Sequence, residues 1–170
     1  MVINTFFTGF GRTDISINVL AQMRKIILES SRNPLIIDWA RDIVSSCDWK
    51  DVDCEIASIY EYIRDNSRYV HDPLGLEYIE TPLHAYEKIT SGQLWHADCD
   101  DMSVLSLSLY RAIGYPVKLR AVSYRSSGSL GHVYGIVYVK GDWIPVDLIA
   151  LNGYPGFEKK PYYRKFDYGV

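Results

Sequence analysis

The sequence is poor in cysteine and has no long apolar run. Its 170 residues include three cysteines, which are too few and of the wrong parity for a disulfide framework. No stretch approaches the roughly 20 apolar residues of a membrane span, and residues 1–10 lack the basic segment that opens a signal peptide. We therefore expect a protein of the reducing cytoplasm that is not embedded in a membrane.

An excess of positive charge is also lacking. The chain has 18 lysines and arginines against 21 acidic residues, which gives a net charge of −3 at pH 7. This balance provides no basic surface for nucleic acid or for an anionic membrane. With 48% hydrophobic and 23% charged residues, the composition is that of a globular domain rather than a disordered chain.

The first half of the chain has helical periodicity. Apolar residues recur at three- and four-residue spacing over about residues 16–30, 34–44 and 52–68, which predicts three amphipathic helices. Asn33 followed by Pro34 is a typical helix start. A short helix is expected over residues 84–89.

The second half changes to the two-residue period of strands. Residues 117–124, 132–140 and 143–149 are predicted to form an antiparallel sheet, with Gly141-Asp142 as a two-residue hairpin turn. The predicted class is α+β, with N-terminal helices followed by this sheet.

The expected organisation is a single domain in three parts. Residues 1–50 form an N-terminal helical extension, residues 51–150 form the core that contains the chemistry, and residues 151–170 form a tail packed on that core.

Cys99 is predicted to lie in the first turn of a buried helix that ends at Gly114. Asp98 is a suitable N-cap, and Asp100 and Asp101 fall where the helix dipole favours negative charge. Backbone N–H groups and the positive end of the dipole beside a thiol favour the thiolate, which is the nucleophilic form. Cys99 is therefore a candidate nucleophile.

A cysteine nucleophile needs a base and a group that orients the base. His132 opens the second predicted strand and Asp147 lies near the end of the third, on the same face of the hairpin. With a turn at Gly141-Asp142, however, ideal pairing places Asp147 opposite Ile136. Strong twist or a bulge would have to bring Asp147 to His132.

An oxyanion donor is the remaining requirement. Gln93 precedes Cys99 by six residues and is the candidate side chain, and the backbone N–H of Cys99 can supply a second hydrogen bond.

Several segments together resemble the transglutaminase-like branch of the papain-like fold, over about residues 52–148. The matching segments are Ile63–Val70, Ala97–Asp101, Ala112–Arg120, Gly131–Tyr134 and Gly141–Asp147. The resemblance implies that Cys99 is the nucleophile, His132 the general base and Asp147 its orienting partner. Gln93 matches the oxyanion residue of papain-type enzymes by its spacing.

Three carboxylates close to the thiol oppose its ionisation. Asp98, Asp100 and Asp101 would raise the pKa of Cys99. They could cap the helix and accept hydrogen bonds from loop amides, or they could hold a cation. Some bacterial transglutaminase-like cysteine proteinases bind calcium through acids that flank the nucleophile, and Asp98 and Asp100 match that placement. Calcium takes six to eight oxygen ligands, so further groups would have to complete the shell.

Other residues have simpler interpretations. Cys47 and Cys54 are expected to be packing residues. His96 is a rival base, but its loop position favours a surface or groove residue. His96-x-x-Cys99 is half of a zinc pattern, and the second half is missing, so we predict no structural zinc.

The predicted function is a cysteine hydrolase that cleaves a peptide or isopeptide bond in a protein or peptide substrate through an acyl-enzyme. No cofactor is required, although calcium is a hypothesis. Two alternatives remain open: acyl transfer to an amine, which cross-links proteins, and a non-catalytic structural protein on the same fold, which could be associated with a virion.

Overall fold

The computed structural model describes residues 5–8, 15, 17–72 and 76–170. Five helices lie in these residues. They are α1 (Ile17–Ser30), α2 (Pro34–Ile43), α3 (Val52–Asp65), α4 (Pro82–Thr90) and α5 (Cys99–Ala112). None of these described helices has the length and apolarity needed to cross a membrane.

Eight strands complete the described secondary structure. They are β1 (Thr5–Thr8), β2 (Ser67–Tyr69), β3 (Leu76–Ile79), β4 (Trp95–Ala97), β5 (Val117–Ser123), β6 (His132–Val139), β7 (Asp142–Val146) and β8 (Arg164–Gly169). Strands β7, β6, β5 and β8 form an antiparallel sheet in that order. β1 pairs with β3 antiparallel, and β2 pairs with β4 in parallel. The α+β class is confirmed.

Helix α5 is the centre of the fold. It packs against all four other helices and against β6. Its residues from Met102 to Tyr110 are all buried, because the helix is apolar on most sides. The Tyr110 hydroxyl is satisfied by a hydrogen bond of 2.9 Å to the carbonyl of Ile56 in α3. The N-terminal helices therefore share one core with the sheet.

The predicted helix starts follow local capping chemistry. The Asn33 side chain accepts a hydrogen bond from the N–H of Leu35, at 2.9 Å, and Pro34 is the first residue of α2. Helix α4 begins at Pro82, two residues before the predicted start, since proline fits the first helical turn.

The predicted hairpin turn was wrong by one residue. Val139 pairs with Asp142, so the two turn residues are Lys140 and Gly141, with φ of 52° and 97°. A two-residue turn of this type needs positive φ at both positions, and Lys140 adopts it. In this register Val146 pairs with Gly135. Extending the register by one residue places Asp147 opposite Tyr134 rather than Ile136, which is two residues closer to His132.

The C-terminal tail contains a strand that the sequence analysis did not predict. Strand β8 pairs antiparallel with β5, from Ser123 opposite Arg164 to Lys118 opposite Gly169. Most of its side chains are exposed, so it lacks the alternation of apolar and polar residues that marks a half-buried strand. The division of the chain into three parts remains a prediction.

Cys47 and Cys54 are joined by a disulfide, so the expectation that they are unpaired packing residues was wrong. Cys47 lies in the middle of the α2–α3 connection and Cys54 in the first turn of α3, seven residues apart, and only the folded connection shows that they meet. Disulfides persist mainly in oxidising compartments. The pair therefore weighs against the cytoplasmic location that the cysteine count predicted.

Gly135 is the point of closest approach between β6 and α5. A Cβ atom added there would lie 2.5 Å from Leu107 Cδ2 and 3.0 Å from Val146 Cγ2. Leu107 and Val146 are themselves buried, so neither can move aside without disturbing the core.

We expect Gly135→Ala to lower the free energy of unfolding by about 2 kcal/mol, because it overpacks this contact. Urea denaturation measures the effect. Gly131→Ala is the matched control, since a Cβ at Gly131 meets nothing within 4 Å. Equal stability of the two variants would contradict this account of the α5–β6 packing.

Candidate active site

The N-terminus of α5 presents Cys99 as its first residue. Asp98 is the N-cap, and Asp98 and Asp101 form a capping box in which each side chain accepts a backbone N–H of the other's segment. The Asp98 carboxylate thus accepts the N–H groups of Asp100 and Asp101, which have no acceptor within the helix, and Asp101 accepts the Asp98 N–H. The predicted helix start at Cys99 agrees with the structure.

The thiol of Cys99 faces the beginning of β6. Its sulfur accepts a hydrogen bond from the N–H of Val133. Ser103 Oγ lies 2.6 Å from the Cys99 carbonyl oxygen and 3.2 Å from that of Val133, so it bridges the helix and the strand. These contacts bring the thiol to the residue that directly follows His132.

His132 and Asp147 form a buried pair. His132 Nε2 lies 2.9 Å from Asp147 Oδ2. Asp147 is held by two further hydrogen bonds: the Ile149 N–H donates to its Oδ1 at 3.3 Å, and the Tyr60 hydroxyl donates to its carbonyl oxygen at 2.9 Å. Because Nε2 is directed to Asp147, Nδ1 is the nitrogen of His132 that can exchange a proton with a thiol.

Two tyrosine rings flank His132. The Tyr124 ring centroid is 6.1 Å from that of the imidazole at an interplanar angle of 28°, and the Tyr134 centroid is 5.4 Å away at 33°. Planar packing on both sides restricts rotation of the imidazole, and only 8% of His132 is exposed. The pair with Asp147 therefore lies in a shielded setting.

The three acids near Cys99 have different roles. Asp101 accepts hydrogen bonds from the N–H groups of Glu80 at 2.6 Å and Asp98 at 3.3 Å. Burial, followed by the negative charge of Asp98, raises the pKa of Asp101 to about 8. Asp98 Oδ1 accepts a hydrogen bond from the Asp100 N–H at 3.2 Å. The predicted capping role therefore holds for Asp98 and Asp101.

Asp98, Cys99 and Asp100 form a compact group. One carboxylate oxygen from each acid and the sulfur all lie within 4.8 Å of one another. Burial raises the pKa of the Cys99 thiol well above its usual value, and the charges of Asp100 and Asp98 raise it further. The Val133 hydrogen bond lowers the pKa but does not offset these effects. The thiol is therefore protonated near neutral pH and needs a base.

The structure does not bring Gln93 into this group of contacts. Its side chain is exposed, and its Oε1 lies 3.5 Å from Lys88 Nζ at the end of α4. His96 is exposed on β4, opposite Arg68 of β2. Its placement agrees with the interpretation of His96 as a surface residue.

Tyr69 is a site residue that the sequence analysis missed. The parallel pairing of β2 with β4 sets Tyr69 opposite Ala97, two residues before Cys99. Burial raises the pKa of Tyr69 well above its usual value, and the nearby charges of Cys99 and Asp98 raise it further. The side chain is 39% exposed, and its hydroxyl lies 3.1 Å from His71 Nδ1. The sequence signal was weak, since no spacing rule links Tyr69 to Cys99.

Comparisons with known proteins match the chain to a sequence family and to a known fold. The sequence profile of the transglutaminase-like superfamily matches residues 37–148. A candidate cysteine protease from Cytophaga hutchinsonii superposes with a TM-score of 0.53 at 14% identity, covering 96% of this chain and 61% of that one. A candidate protease from Parabacteroides distasonis gives 0.50 at 14% identity, over 74% and 25%.

These two solved structures show a shared fold and no more, given their low identity. The chain spans about three-fifths of the first protein and a quarter of the second. No curated protein matches the sequence.

We expect Asp100→Asn to increase the reactivity of Cys99 at neutral pH. Removing the Asp100 charge lowers the pKa of the thiol, so a larger fraction is the reactive thiolate. The rate of iodoacetamide alkylation, measured against pH, should rise several-fold at pH 7 and its midpoint should move to lower pH. Cys99 is the free cysteine in the disulfide-bonded protein, so the labelling is specific.

Asp38→Asn is the control for this measurement, since Asp38 is an exposed residue of α2 paired with Arg41. An alkylation rate in Asp100→Asn that equals the rate in Asp38→Asn would show that Asp100 does not govern the thiol.

Proposed function

The chain belongs to the transglutaminase-like superfamily, and from that premise we propose that it is a cysteine hydrolase that cleaves an amide bond through an acyl-enzyme. The observation that supports this proposal most is the 2.9 Å contact between His132 and Asp147. His132 opens strand β6, and the next residue of that strand, Val133, donates its N–H to the Cys99 sulfur. The proposed nucleophile thus contacts the residue that follows the proposed base, and that base is paired with its proposed orienting group.

In the proposed reaction, Nδ1 of His132 takes the thiol proton as the Cys99 sulfur attacks the carbonyl carbon of the substrate. The protonated imidazole then gives that proton to the leaving amine as the C–N bond breaks, which leaves a thioester. Water, deprotonated by the same nitrogen, attacks the thioester and releases a carboxylic acid and the free thiol. Asp147 keeps the imidazole oriented and stabilises its charged form.

The oxyanion of the tetrahedral intermediate needs hydrogen-bond donors. The Cys99 N–H is one, because the first N–H groups of a helix have no acceptor within it. For the second donor we propose the Tyr69 hydroxyl in place of Gln93. Tyr69 is close enough to Cys99 for the thiolate charge to act on it, whereas Gln93 contacts Lys88.

A protein or peptide is the proposed substrate, since Tyr69, whose pKa is affected by the charge of Cys99, is exposed at the surface. Acyl transfer uses the same steps up to the thioester and differs only in whether an amine replaces water. A non-catalytic role is disfavoured because the pairing of His132 with Asp147 buries two polar side chains whose desolvation serves no evident packing purpose.

Calcium at the nucleophile remains a proposal. Asp98 and Asp100 offer the oxygen ligands that calcium prefers, and they lie within 4.8 Å of each other and of the sulfur. The two carboxylates would hold the ion and the thiol would not, because calcium is a hard cation. When bound, the ion would supply positive charge that offsets the effect of both acids on the pKa of Cys99.

Cys99→Ala is expected to abolish hydrolysis of a fluorogenic peptide library, because no acyl-enzyme can form. Tyr69→Phe should lower kcat roughly 10- to 100-fold by removing one oxyanion donor, whereas Gln93→Ala should leave kcat unchanged. Mass spectrometry of the quenched reaction should detect an acyl adduct on the peptide that contains Cys99.

Each of these expectations has an outcome that would contradict it. Hydrolysis that survives in Cys99→Ala would refute the mechanism. A loss in Gln93→Ala with full activity in Tyr69→Phe would return the oxyanion role to Gln93. Addition of a primary amine separates the two reactions, since incorporation of the amine into the product in preference to water would identify a transferase.

Added calcium is expected to increase the alkylation rate of Cys99 at neutral pH, and a chelator should decrease it, because the ion lowers the pKa of the thiol. Asp98→Asn combined with Asp100→Asn should remove this response. An alkylation rate indifferent to calcium and to chelation would eliminate the calcium proposal and leave the hydrolase proposal intact.

A further inference from the structure

The His132–Asp147 pair lies on the sheet face that the C-terminal segment covers. We define the C-terminal segment as residues 151–170. On β6, Val133 and Val137 belong to the main core with α5, whereas Tyr134 and Ile136 belong to a second cluster that includes Tyr162 of the segment. His132 shares the parity of Tyr134, so it projects to the second face.

A buried carboxylate of the C-terminal segment anchors it to this face. Glu158 Oε1 accepts hydrogen bonds from Arg120 Nη1 at 2.6 Å and from the Tyr134 hydroxyl at 2.8 Å. Its side chain is only 11% exposed. Although burial acts to raise the pKa of Glu158, the hydrogen bonds from Tyr134 and Arg120 keep it below its usual value. Glu158 is therefore charged near neutral pH.

Arg120 also binds a second carboxylate of the C-terminal segment. Its Nε and Nη2 donate to the two carboxylate oxygens of Asp167 on β8, at 2.7 and 2.8 Å. This bidentate pair holds the segment to β5 and makes no described contact with Tyr134. The Arg120–Asp167 pair and the Glu158–Tyr134 bond can therefore be altered separately.

Consecutive residues of the segment contact both rings that flank His132. Glu158 binds the hydroxyl of Tyr134, and Lys159 Nζ lies 4.9 Å from the centre of the Tyr124 ring. The imidazole lies between these two rings, at 5.4 and 6.1 Å. The aromatic enclosure of the histidine thus depends on a segment that follows Asp147 in the sequence.

We propose that Glu158 is a positioning residue for His132, which acts by fixing the Tyr134 ring so that the imidazole keeps Nε2 on Asp147 and Nδ1 toward the thiol. This inference deepens the proposed function and rests on it. The χ2 torsion of histidine is broad, and one hydrogen bond to Asp147 leaves the ring free to tilt. Packing by Tyr134 and Tyr124 removes that freedom, and the hydrogen bond from the Tyr134 hydroxyl to Glu158 holds the Tyr134 ring in place.

Glu158 takes no part in the chemical steps. Tyr134 separates its carboxylate from the imidazole. Asp147 is the charged group that contacts His132 in the described structure, and Tyr124 and Tyr134 are its titratable ring neighbours. Loss of Glu158 should therefore change how well the base is oriented and leave substrate binding as it is.

The test compares Glu158→Gln and Tyr134→Phe with Asp167→Asn in the full chain. The first two variants should lower kcat about tenfold, as expected for a misplaced catalytic group, with KM unchanged. Both should also move the ring proton resonances of His132, because those resonances depend on the ring current of Tyr134. Asp167→Asn weakens attachment of the same segment and should leave kcat and the His132 resonances unchanged.

The double variant Glu158→Gln/Tyr134→Phe should be no worse than Tyr134→Phe alone, since Glu158→Gln weakens and Tyr134→Phe removes the same hydrogen bond. The proposal is overturned if Glu158→Gln and Asp167→Asn affect kcat and the His132 resonances equally, because the segment would then contribute stability alone. Tyr134→Phe keeps the ring, so it tests the link even if Glu158→Gln folds poorly.

The His132 resonances also separate this proposal from the proposed function. If they move in Glu158→Gln while Cys99→Ala has no effect on hydrolysis, Glu158 positions His132 and the hydrolase mechanism fails. If Cys99→Ala abolishes hydrolysis while the resonances of Glu158→Gln match those of the unaltered protein, the hydrolase stands and the positioning role is refuted.

Discussion

The docking of the first turn of α5 on β6 is the contact on which the rest of the site depends. Ser103 bridges the carbonyls of Cys99 and Val133, and the Val133 N–H binds the sulfur. The approach is possible because Gly135 has no side chain to meet Leu107. A helix buried on nearly all sides cannot slide along the sheet without opening cavities, so the thiol has one position, beside the N–H of Val133.

The same helix start creates an electrostatic conflict. Asp98 begins α5 by accepting its first N–H groups, Asp101 accepts the N–H of Asp98 in return, and this capping stabilises the helix. Asp98 and Asp100 also raise the pKa of Cys99, together with burial. The cysteine is thus held as a neutral thiol, and in the proposed mechanism its nucleophilicity depends on proton transfer to His132. Capping and thiol ionisation oppose each other here, because the Asp98 carboxylate that caps the helix also raises the pKa of the Cys99 thiol.

The sheet face opposite α5 carries His132 and is covered by the C-terminal segment, residues 151–170. Arg120 is buried at its centre and is compensated by Glu158 and Asp167, both from the C-terminal segment. A buried arginine is tolerated only when it is fully paired, so the segment cannot leave without exposing an unpaired charge. Glu158 also accepts the hydrogen bond of Tyr134, one of the two rings beside His132.

The sequence by itself determined the features that depend on neighbouring residues. The α5 start at Cys99, its Asp98 cap, the Asn33 cap and the α+β order follow from periodicity and capping chemistry over a few residues. The tertiary structure alone decided which distant groups meet. Lys140 takes positive φ and sets the register that brings Asp147 to His132; Cys47 bonds Cys54; β8 joins β5; and Tyr69 lies beside Cys99. Such contacts depend on chain packing across long separations, which leaves no periodic signal in the sequence.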